Sequence, residues 1–512
     1  NLIPKNKTLR VYCKISLIIF FLVPLTACMV GPDYKRPTVT TPSQFKEAKG
    51  KKIVGRLPQQ WKVATPRDEM DRGKWWALFH DHELNKLENQ LNKSNQSIAE
   101  AYANYREARA LVDEARASFF PTLNLSAALT RQKTIGGTSS TSGTASTSTI
   151  VNSGSSSSST TSSQIFSTYS LFLNAAWAPD FWGLVGRTVE ASEAGALASA
   201  ALLANTRLSM QGSLAQFYFE LRAVDTDQRL LDITVKNYKK LLQLTRNQYA
   251  AGVASEIDIV AAQSQLEAAQ SLAINNKINR AIYEHAIAVL IGVPPANFAL
   301  APHPLTHRPP AIPVSVPSAL LERRPDIAYA ERLMAQANAQ IGVAKAAYFP
   351  AITLTGDLSD TGRGGLSRLI AVPALGWAYG PQLTQFLFDG GLRAATVRAA
   401  EAGYDANVAS YRQVVLAAFQ NVEDNLATLR ILGKQAIVQN LAAESAKTTL
   451  KLTVNQYKAG IVPYSSVVTA AINAYAAEKS ALDITGLRMT AAVGLMMALG
   501  GGWDAKELQI TV

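Results

Sequence analysis

The stretch FFPTLNL at residues 119–125 recurs as YFPAITL at residues 348–354, which is 229 positions later. A second repeat has a different spacing, because QYAAGV at residues 248–253 recurs as QYKAGI at residues 456–461, 208 positions later. The spacing shortens because the first half carries about 20 additional residues, which a Ser/Thr-rich tract near residues 134–163 supplies. Repeats of this extent indicate a duplicated structural unit, so the architecture of one half constrains that of the other.

Each half also contains a long segment without proline. No proline lies between residues 179 and 294 or between residues 381 and 463, and both segments are rich in helix-forming residues. Residues 183–252 alone predict a helix on the order of 100 Å long. Helices of this length with Ala-rich stripes pack into coiled-coil arrays. Gly252 and Gly460 are therefore predicted to be the tips of two helical hairpins.

The remaining ordered segments predict strands. Residues 123–129 alternate between apolar and polar side chains, and residues 166–177 read as the returning strand. In the second half, residues 352–358 lead out and residues 377–388 lead back across a Gly-rich turn. Short segments of weak alternation with aromatic ends are typical of membrane β-barrels. Each half therefore contributes one hairpin, and the chain contributes four strands.

Four strands cannot close into a barrel. An open sheet edge in a bilayer leaves backbone groups unsatisfied, so other chains must complete the sheet. Closed membrane barrels begin at about 8 strands. Two copies would provide 8, three would provide 12 and four would provide 16. The strands thus predict an oligomer, but not the number of copies.

The N-terminus reads as an export signal. A basic region precedes an apolar run at residues 15–25, which is too short to span a bilayer as a helix. The run ends in LTAC at residues 25–28, which resembles a bacterial lipobox, so residues 1–27 are predicted to be a lipoprotein signal peptide and Cys28 to carry the lipid. The alternative is an ordinary signal peptide with a chance cysteine. No other segment predicts a membrane-spanning helix.

Four motifs carry a family resemblance. They are CMVGPDYKRP at residues 28–37, WWALFHD at 75–81, LERRPDI at 321–327 and FDGG at 388–391. Together they resemble the TolC/OprM-like outer-membrane efflux protein family, in its NodT-type lipoprotein subgroup from RND efflux systems. The resemblance extends over essentially the whole mature chain.

The resemblance implies a mostly α, α+β fold, in which a homotrimer forms a 12-stranded outer-membrane β-barrel that continues as a periplasmic α-helical barrel. It implies a passive exit channel for drugs or other small toxic compounds in a Gram-negative bacterium. The partners would be a periplasmic adaptor and an inner-membrane pump, usually of the RND class. No cofactor is expected beyond the lipid on Cys28, and Met29 after it favours the outer membrane by resemblance to sorted lipoproteins.

The repeats and motifs predict a domain layout. A lipidated N-terminal extension is followed by a first repeat, a Pro-rich connector, a second repeat and a short tail. The predicted bounds are 28–80 for the extension, 81–301 for the first repeat with its β-hairpin at 122–178, 302–317 for the connector, 318–500 for the second repeat with its β-hairpin at 351–388, and 501–512 for the tail.

The family closes the periplasmic end of the channel with ion pairs and hydrogen bonds between the two hairpins. By position, Asp258 matches the acidic member of this gate, and Tyr457 and Lys458 match the aromatic and basic members. Members often carry Arg where this chain has Lys458, and a lysine lacks the bidentate geometry of arginine, so the tie should be weaker. The opposing interpretation is that these are ordinary polar residues of a hairpin tip.

The second tip departs from the family pattern. Members frequently place acidic residues just after it, whereas here Ser466 and Thr469 occupy those positions. An acidic selectivity ring is therefore doubtful, and a hydrophobic or Tyr464-lined constriction is an equal alternative. The tips are also the predicted adaptor contacts, and the four residues concerned are Gly252, Val253, Gly460 and Ile461.

Other functions are less well supported. The formal net charge of +12 is dispersed along the chain, which indicates a solvated surface rather than a nucleic-acid partner. His80-Asp81-His82-Glu83 and the pair His303 and His307 contain residue types that bind metals. The first group lies at a predicted helix start, where acidic residues commonly serve the N-terminal turn, and the second lies in the Pro-rich connector, which cannot set helical i, i+4 geometry. No catalytic motif is present. We therefore expect neither a metal site nor an enzyme. The alternatives are a duct for type I protein secretion and, in another class, a structural coiled-coil envelope lipoprotein.

Overall fold

The structure is a computed structural model. It describes residues 29–39, 41–42, 44–48, 73–134, 164–305, 309–310, 312, 323–363 and 375–501. The predicted signal peptide, the lipid site Cys28, the Ser/Thr-rich tract beyond Thr134, most of the connector, His307 and the tail beyond Gly501 lie outside the described residues.

Within those residues the chain is mostly helical, with one antiparallel sheet. The helices are α1 His82–Ser94, α2 Gln96–Ala117, α3 Leu184–Ala250, α4 Glu256–Leu290, α5 Pro325–Ala346, α6 Leu392–Lys458 and α7 Tyr464–Ala498. The strands are β1 Thr122–Thr134, β2 Gln164–Trp177, β3 Ala351–Arg363 and β4 Leu375–Thr384.

The elements of the two halves match in length. Helices α3 and α6 each contain 67 residues, and α4 and α7 each contain 35. Helices α2 and α5 each contain 22 residues, and strands β1 and β3 each contain 13. The first two pairs are offset by 208 positions and the last two by 229, which are the spacings of the sequence repeats.

Both long helices end in the same way. Gly252 and Gly460 each have a φ of 74°, a left-handed backbone conformation that glycine adopts without steric cost. The N–H of Val253 donates to the carbonyl of Gln248 at 2.8 Å, and Ile461 donates to the carbonyl of Gln456 at 3.0 Å. This is the Schellman motif, which satisfies the last carbonyls of a helix while the chain reverses. The repeated glycine thus sets both hairpin tips.

The sheet has strand order β1-β2-β3-β4, and its register separates two faces. One row of aligned positions contains Leu125, Leu173, Leu358 and Trp377. The next row, whose side chains point to the opposite face, contains Asn124, Asn174, Asp357 and Ala378. One face is therefore apolar and the other is polar along most of the ladder. Strands β1 and β4 are its two edges.

Several predicted strand ends differ from the structure. Strand β4 ends at Thr384 rather than at Phe388. Asp389 accepts hydrogen bonds from the backbone N–H groups of Gly391 and Arg393, which forms the turn that leads into α6. Strand β3 continues to Arg363, beyond the predicted residue 358. Polar residues and Gly362 interrupt its apolar alternation there, but backbone pairing with β2 does not depend on apolar side chains.

The chain divides into two compact units, each assembled from both halves. Of the described residues, the first contains 29–32, 113–134, 164–190, 339–363 and 375–400, and therefore the sheet. The second contains the described residues within 33–112, 191–338 and 401–501. Its core consists of a large cluster around Trp75, Phe79 and Phe219 and a separate tip cluster. The tip cluster comprises Tyr238, Leu241, Leu242, Ala262, Leu266, Ala269, Tyr457, Tyr464, Val467 and Ala471.

One helix of the described chain, Tyr464–Ala498, is long and apolar enough to cross a membrane by length and composition. Half of its most apolar stretch is buried inside the protein, as in the core helix of a soluble protein. One such helix is weak support for a membrane-spanning segment. The absence of a membrane-spanning helix therefore stays a prediction.

Candidate functional site

The predicted gate residue Asp258 lies in the first turn of α4, where it completes a capping box. Its Oδ2 accepts hydrogen bonds from the backbone N–H of Ser255 at 3.1 Å and from the Ser255 hydroxyl at 2.9 Å. A carboxylate in this place satisfies an otherwise unpaired donor and interacts favourably with the helix dipole. The structure thus gives Asp258 a local role within its own hairpin.

Tyr457 connects the two hairpins. Its side chain is buried at the end of α6, and its hydroxyl donates to Oγ1 of Thr245 in α3 at 3.2 Å. Its backbone carbonyl accepts from Nε2 of Gln248 at 3.3 Å. Gln248 stands inside the QYAAGV repeat, but nothing in the sequence singles out Thr245 as the partner. Thr245 and Gln248, neither of which was predicted to be a gate residue, therefore form the tie between Tyr457 and α3.

Tyr464 packs beside Tyr457 in the tip cluster. The two rings make an edge-to-face contact with centroids 5.5 Å apart, and Tyr464 is only 2 % exposed. Burial raises the pKa of Tyr464 to about 12, and the nearby Tyr457, Tyr238 and Asp258 act in the same direction. The ring of Tyr464 is therefore packed inside its own chain, and its role in a constriction stays a prediction.

Lys458 is exposed at the last residue of α6. In the described part of the chain it forms no ion pair with Asp258. Of the predicted gate residues, the structure thus brings Tyr457 and Tyr464 together and leaves the ionic tie unformed within one chain. Ser466 and Thr469 lie in the first turns of α7, and its first turn contains no acidic residue.

The predicted adaptor contacts form two similar exposed tips. Val253 is 67 % exposed and Ile461 is 71 % exposed, at equivalent positions of the two hairpins. A Cβ atom added to Gly252 or Gly460 would meet no atom within 4 Å, so these glycines serve backbone conformation rather than packing. The tips therefore present apolar side chains on a constrained turn.

In the segment His80-Asp81-His82-Glu83, Asp81 has a structural role. Asp81 caps α1 by accepting from the N–H groups of Glu83 and Leu84, each at 3.0 Å, and its Oδ2 accepts from the hydroxyl of Tyr218 at 2.7 Å. Burial raises the pKa of Tyr218. His80, His82 and His303 line a common cavity of about 420 Å³. No group of three metal-ligating side chains is arranged for a metal among the residues that the structure describes.

A buried charge network supports the same region. Asp225 accepts hydrogen bonds from Arg222 at 3.2 Å, from Arg280 at 2.8 Å and from the backbone N–H of His303 at 2.9 Å. The Asp225 side chain is 2 % exposed.

A second buried acid, Glu88 of α1, has no hydrogen-bond partner for its carboxylate oxygens within the described ranges, and burial raises its pKa well above the usual value.

Close contacts explain residues of two motifs, CMVGPDYKRP at residues 28–37 and LERRPDI at residues 321–327. Gly31 has a φ of +105°, and a Cβ atom there would lie 2.5 Å from the Cα of Gly342. Arg187, which is 2 % exposed, donates to the carbonyls of Val30 and Gly31, each at 3.2 Å. In the LERRPDI motif, Arg324 pairs with Asp326 at 2.6 Å and donates to the carbonyl of Ala498 at 2.9 Å. Both motifs therefore hold chain segments in place.

Comparison with known proteins gives a consistent result. The model of the family described as "Outer membrane efflux protein" matches residues 87–293 and 316–501. The chain is 30 % identical over 458 residues to the pyoverdine export outer membrane protein OpmQ of Pseudomonas aeruginosa, covering 88 % of this chain and 92 % of OpmQ. It is 27 % identical over 485 residues to the cation efflux system protein CusC of Escherichia coli, covering 94 % of this chain and 97 % of CusC.

A solved structure agrees with these relatives. The outer-membrane channel OprN matches with a TM-score of 0.78 and 28 % identity, and the match covers 93 % of this chain and all of the OprN chain. The family model, the relatives and the solved channel extend over both halves of the sequence. The chain therefore belongs to the outer membrane efflux protein family.

Proposed function

We propose that three copies of this chain form a passive channel through the outer membrane, which exports small compounds delivered by a periplasmic adaptor and an inner-membrane pump. The observation that carries this proposal is the sheet, with one apolar face, one polar face and two open edges. In a membrane barrel the apolar face contacts lipid and the polar face lines a water-filled lumen.

The open edges account for the oligomer. Strands β1 and β4 would pair with β4 and β1 of neighbouring copies, which removes every edge from the bilayer. Three copies with four strands each give the 12-stranded barrel that the family resemblance implies. The matched lengths of the helices support a duplicated chain that contributes two equivalent hairpins to the periplasmic part.

Exposed aromatic side chains support the placement in the membrane. Phe120, Phe386 and Phe388 lie at junctions between strands and helices and are 67–90 % exposed. Aromatic side chains concentrate where a barrel crosses the interface between lipid and water. The hydrogen bonds from Arg187 to the carbonyls of Val30 and Gly31 would hold the residues next to Cys28 in the same unit as the sheet. A lipid on Cys28 could then enter the membrane.

The helical tips would provide the gate and the docking surface. Val253 and Ile461 are exposed apolar side chains on fixed turns, which suits the adaptor contact. The link between Tyr457 and Thr245 would hold the two hairpins together in the resting state. A pump of the RND class is the partner that the family resemblance favours.

The proposed cargo is a class of small compounds, and no single compound is assigned. Relatives with similar identity to this chain are named for pyoverdine export and for cation efflux. The same scaffold therefore serves chemically different cargo, which fits selection by the pump rather than by the duct. These relatives are named as export and efflux proteins rather than as enzymes, which supports a role without catalysis. A duct for type I protein secretion has no specific observation in its favour.

The proposal is tested in a deletion strain and its complemented parent. Both are challenged with drugs, dyes, detergents and metal salts, and the envelope protein is analysed on SDS gels with and without heating. We expect hypersensitivity that the gene restores and a heat-sensitive trimer. A monomer that needs no detergent would contradict the channel. An intact trimer without any change in susceptibility would contradict the export of these small compounds.

A further inference from the structure

The polar face of the sheet is nearly free of charge. It carries hydroxyl and amide side chains in the described strands, such as Asn124, Ser126 and Thr355. Its only carboxylate in these strands is Asp357, at the middle of β3. The other acid of β3, Asp360, lies on the apolar face by the alternation of the strand. Asp357 is thus the one carboxylate on the polar face of the described strands.

Asp357 is held in a defined geometry. It is exposed, and its Oδ1 accepts a hydrogen bond from Nδ2 of Asn174 at 2.5 Å. Asn174 is its direct partner in the antiparallel register of β2 and β3. The amide leaves the carboxylate charge uncompensated, because asparagine is neutral. The sheet therefore presents a fixed negative charge in water at one level.

We propose that Asp357 makes the channel prefer cations over anions, as a ring of carboxylates within the barrel. This inference rests on the proposed trimeric channel, in which three copies place three Asp357 side chains at the same level of the lumen. Such a ring raises the local concentration of cations and lowers that of anions. It places a determinant of selectivity in the sheet, whereas the second helical tip has no acid in its first turn.

Distance along the strand separates this ring from the nearest basic residue of β3. The backbone of Arg363 pairs with Thr168 at the far end of the ladder, six residues beyond Asp357, so the two Cα positions lie roughly 20 Å apart. The Debye length is about 10 Å at 0.1 M salt, so the two positions act separately at that ionic strength. At 1 M salt the Debye length is about 3 Å, and the preference should vanish.

The test is the reversal potential of the purified full-length protein in planar bilayers under a KCl gradient near 0.1 M. We expect the ratio of cation to anion permeability to fall by roughly twofold in the Asp357→Asn variant. The control is Asp360→Asn, which makes the same chemical change in the same strand on the apolar face and should leave the ratio unchanged. A second variant, Asn174→Asp with Asp357→Asn, moves the charge to the neighbouring strand at the same level and should restore the ratio.

The outcomes separate this inference from the channel itself. Failure of the wild-type protein to form channels would overturn the proposed function. Wild-type channels whose permeability ratio is the same in the Asp357→Asn variant would overturn only the role of Asp357. An equal loss in the Asp360→Asn variant would also overturn it, since the effect would then not depend on the face. The exchanged pair reports on folding, because it retains both residue types.

Discussion

Removing the hydroxyl of Tyr457 should loosen the helical tips. The Tyr457→Phe variant keeps the ring in the tip cluster and deletes only the hydrogen bond to Thr245, which joins α6 to α3. The hydroxyl of Thr245 retains its own bond to the carbonyl of Leu241 at 3.0 Å, so the change affects one interaction. If this bond holds the hairpins together, the resting channel should open more often.

The size of the effect depends on how the copies open. A buried hydrogen bond contributes about 1 kcal/mol net, which corresponds to roughly a fivefold change in the opening equilibrium of one chain. If three chains open together, the three contributions add to about 3 kcal/mol and the open fraction should rise by roughly 100-fold. Single-channel recording therefore distinguishes independent opening from concerted opening.

The matched control is Tyr464→Phe. It makes the same chemical change in the adjacent ring, whose hydroxyl has no hydrogen bond to another described residue. We expect this control to conduct like the wild-type channel, and we expect Thr245→Val combined with Tyr457→Phe to add little to either change alone. Wild-type conductance in a verified Tyr457→Phe trimer would refute the reasoning, as would an equal gain in the Tyr464→Phe control.

Two further predictions concern stability. Because burial raises the pKa of Glu88, the folded state favours its neutral form; stability is greatest below the ordinary glutamate pKa and declines as the pH rises toward the folded value. Glu88→Gln should remove this decline, so the melting temperatures of the two proteins should diverge as the pH rises above the ordinary glutamate pKa of 4.5, and parallel curves would contradict the prediction. Asp225→Ala leaves the buried Arg222 and the partly buried Arg280 without their shared partner and should destabilise the protein by about 3 kcal/mol in thermal unfolding. Asp232→Ala, an exposed change on the same helix, is the control, and an equal loss of stability in both variants would contradict a special role for the buried network.

The sequence predicted the long elements well because their signals are repeated and local. The glycines at positions 252 and 460 mark both hairpin tips, and the absence of proline marks both long helices. Strand ends were harder, because β3 pairs through Gly362 where the side chains carry no alternation. The partner of Tyr457 could not be predicted, since Thr245 lies 212 positions away and contributes a single hydroxyl. Such a contact depends on how the helices pack rather than on a local pattern.

The two hairpins start their returning helices by different means, and only the second buries the first residue of its returning helix in the tip cluster. Helix α4 begins with the capping box of Ser255 and Asp258, and Glu256 also lies in its first turn. At the equivalent positions, 208 residues later, α7 has Pro463 as its N-cap and Tyr464 as its first residue. A charged first turn stays in solvent, whereas the aromatic first residue is buried against Tyr457. Duplication supplied two similar hairpins, and divergence at one turn allowed the second to dock its end into the tip cluster that it shares with the first.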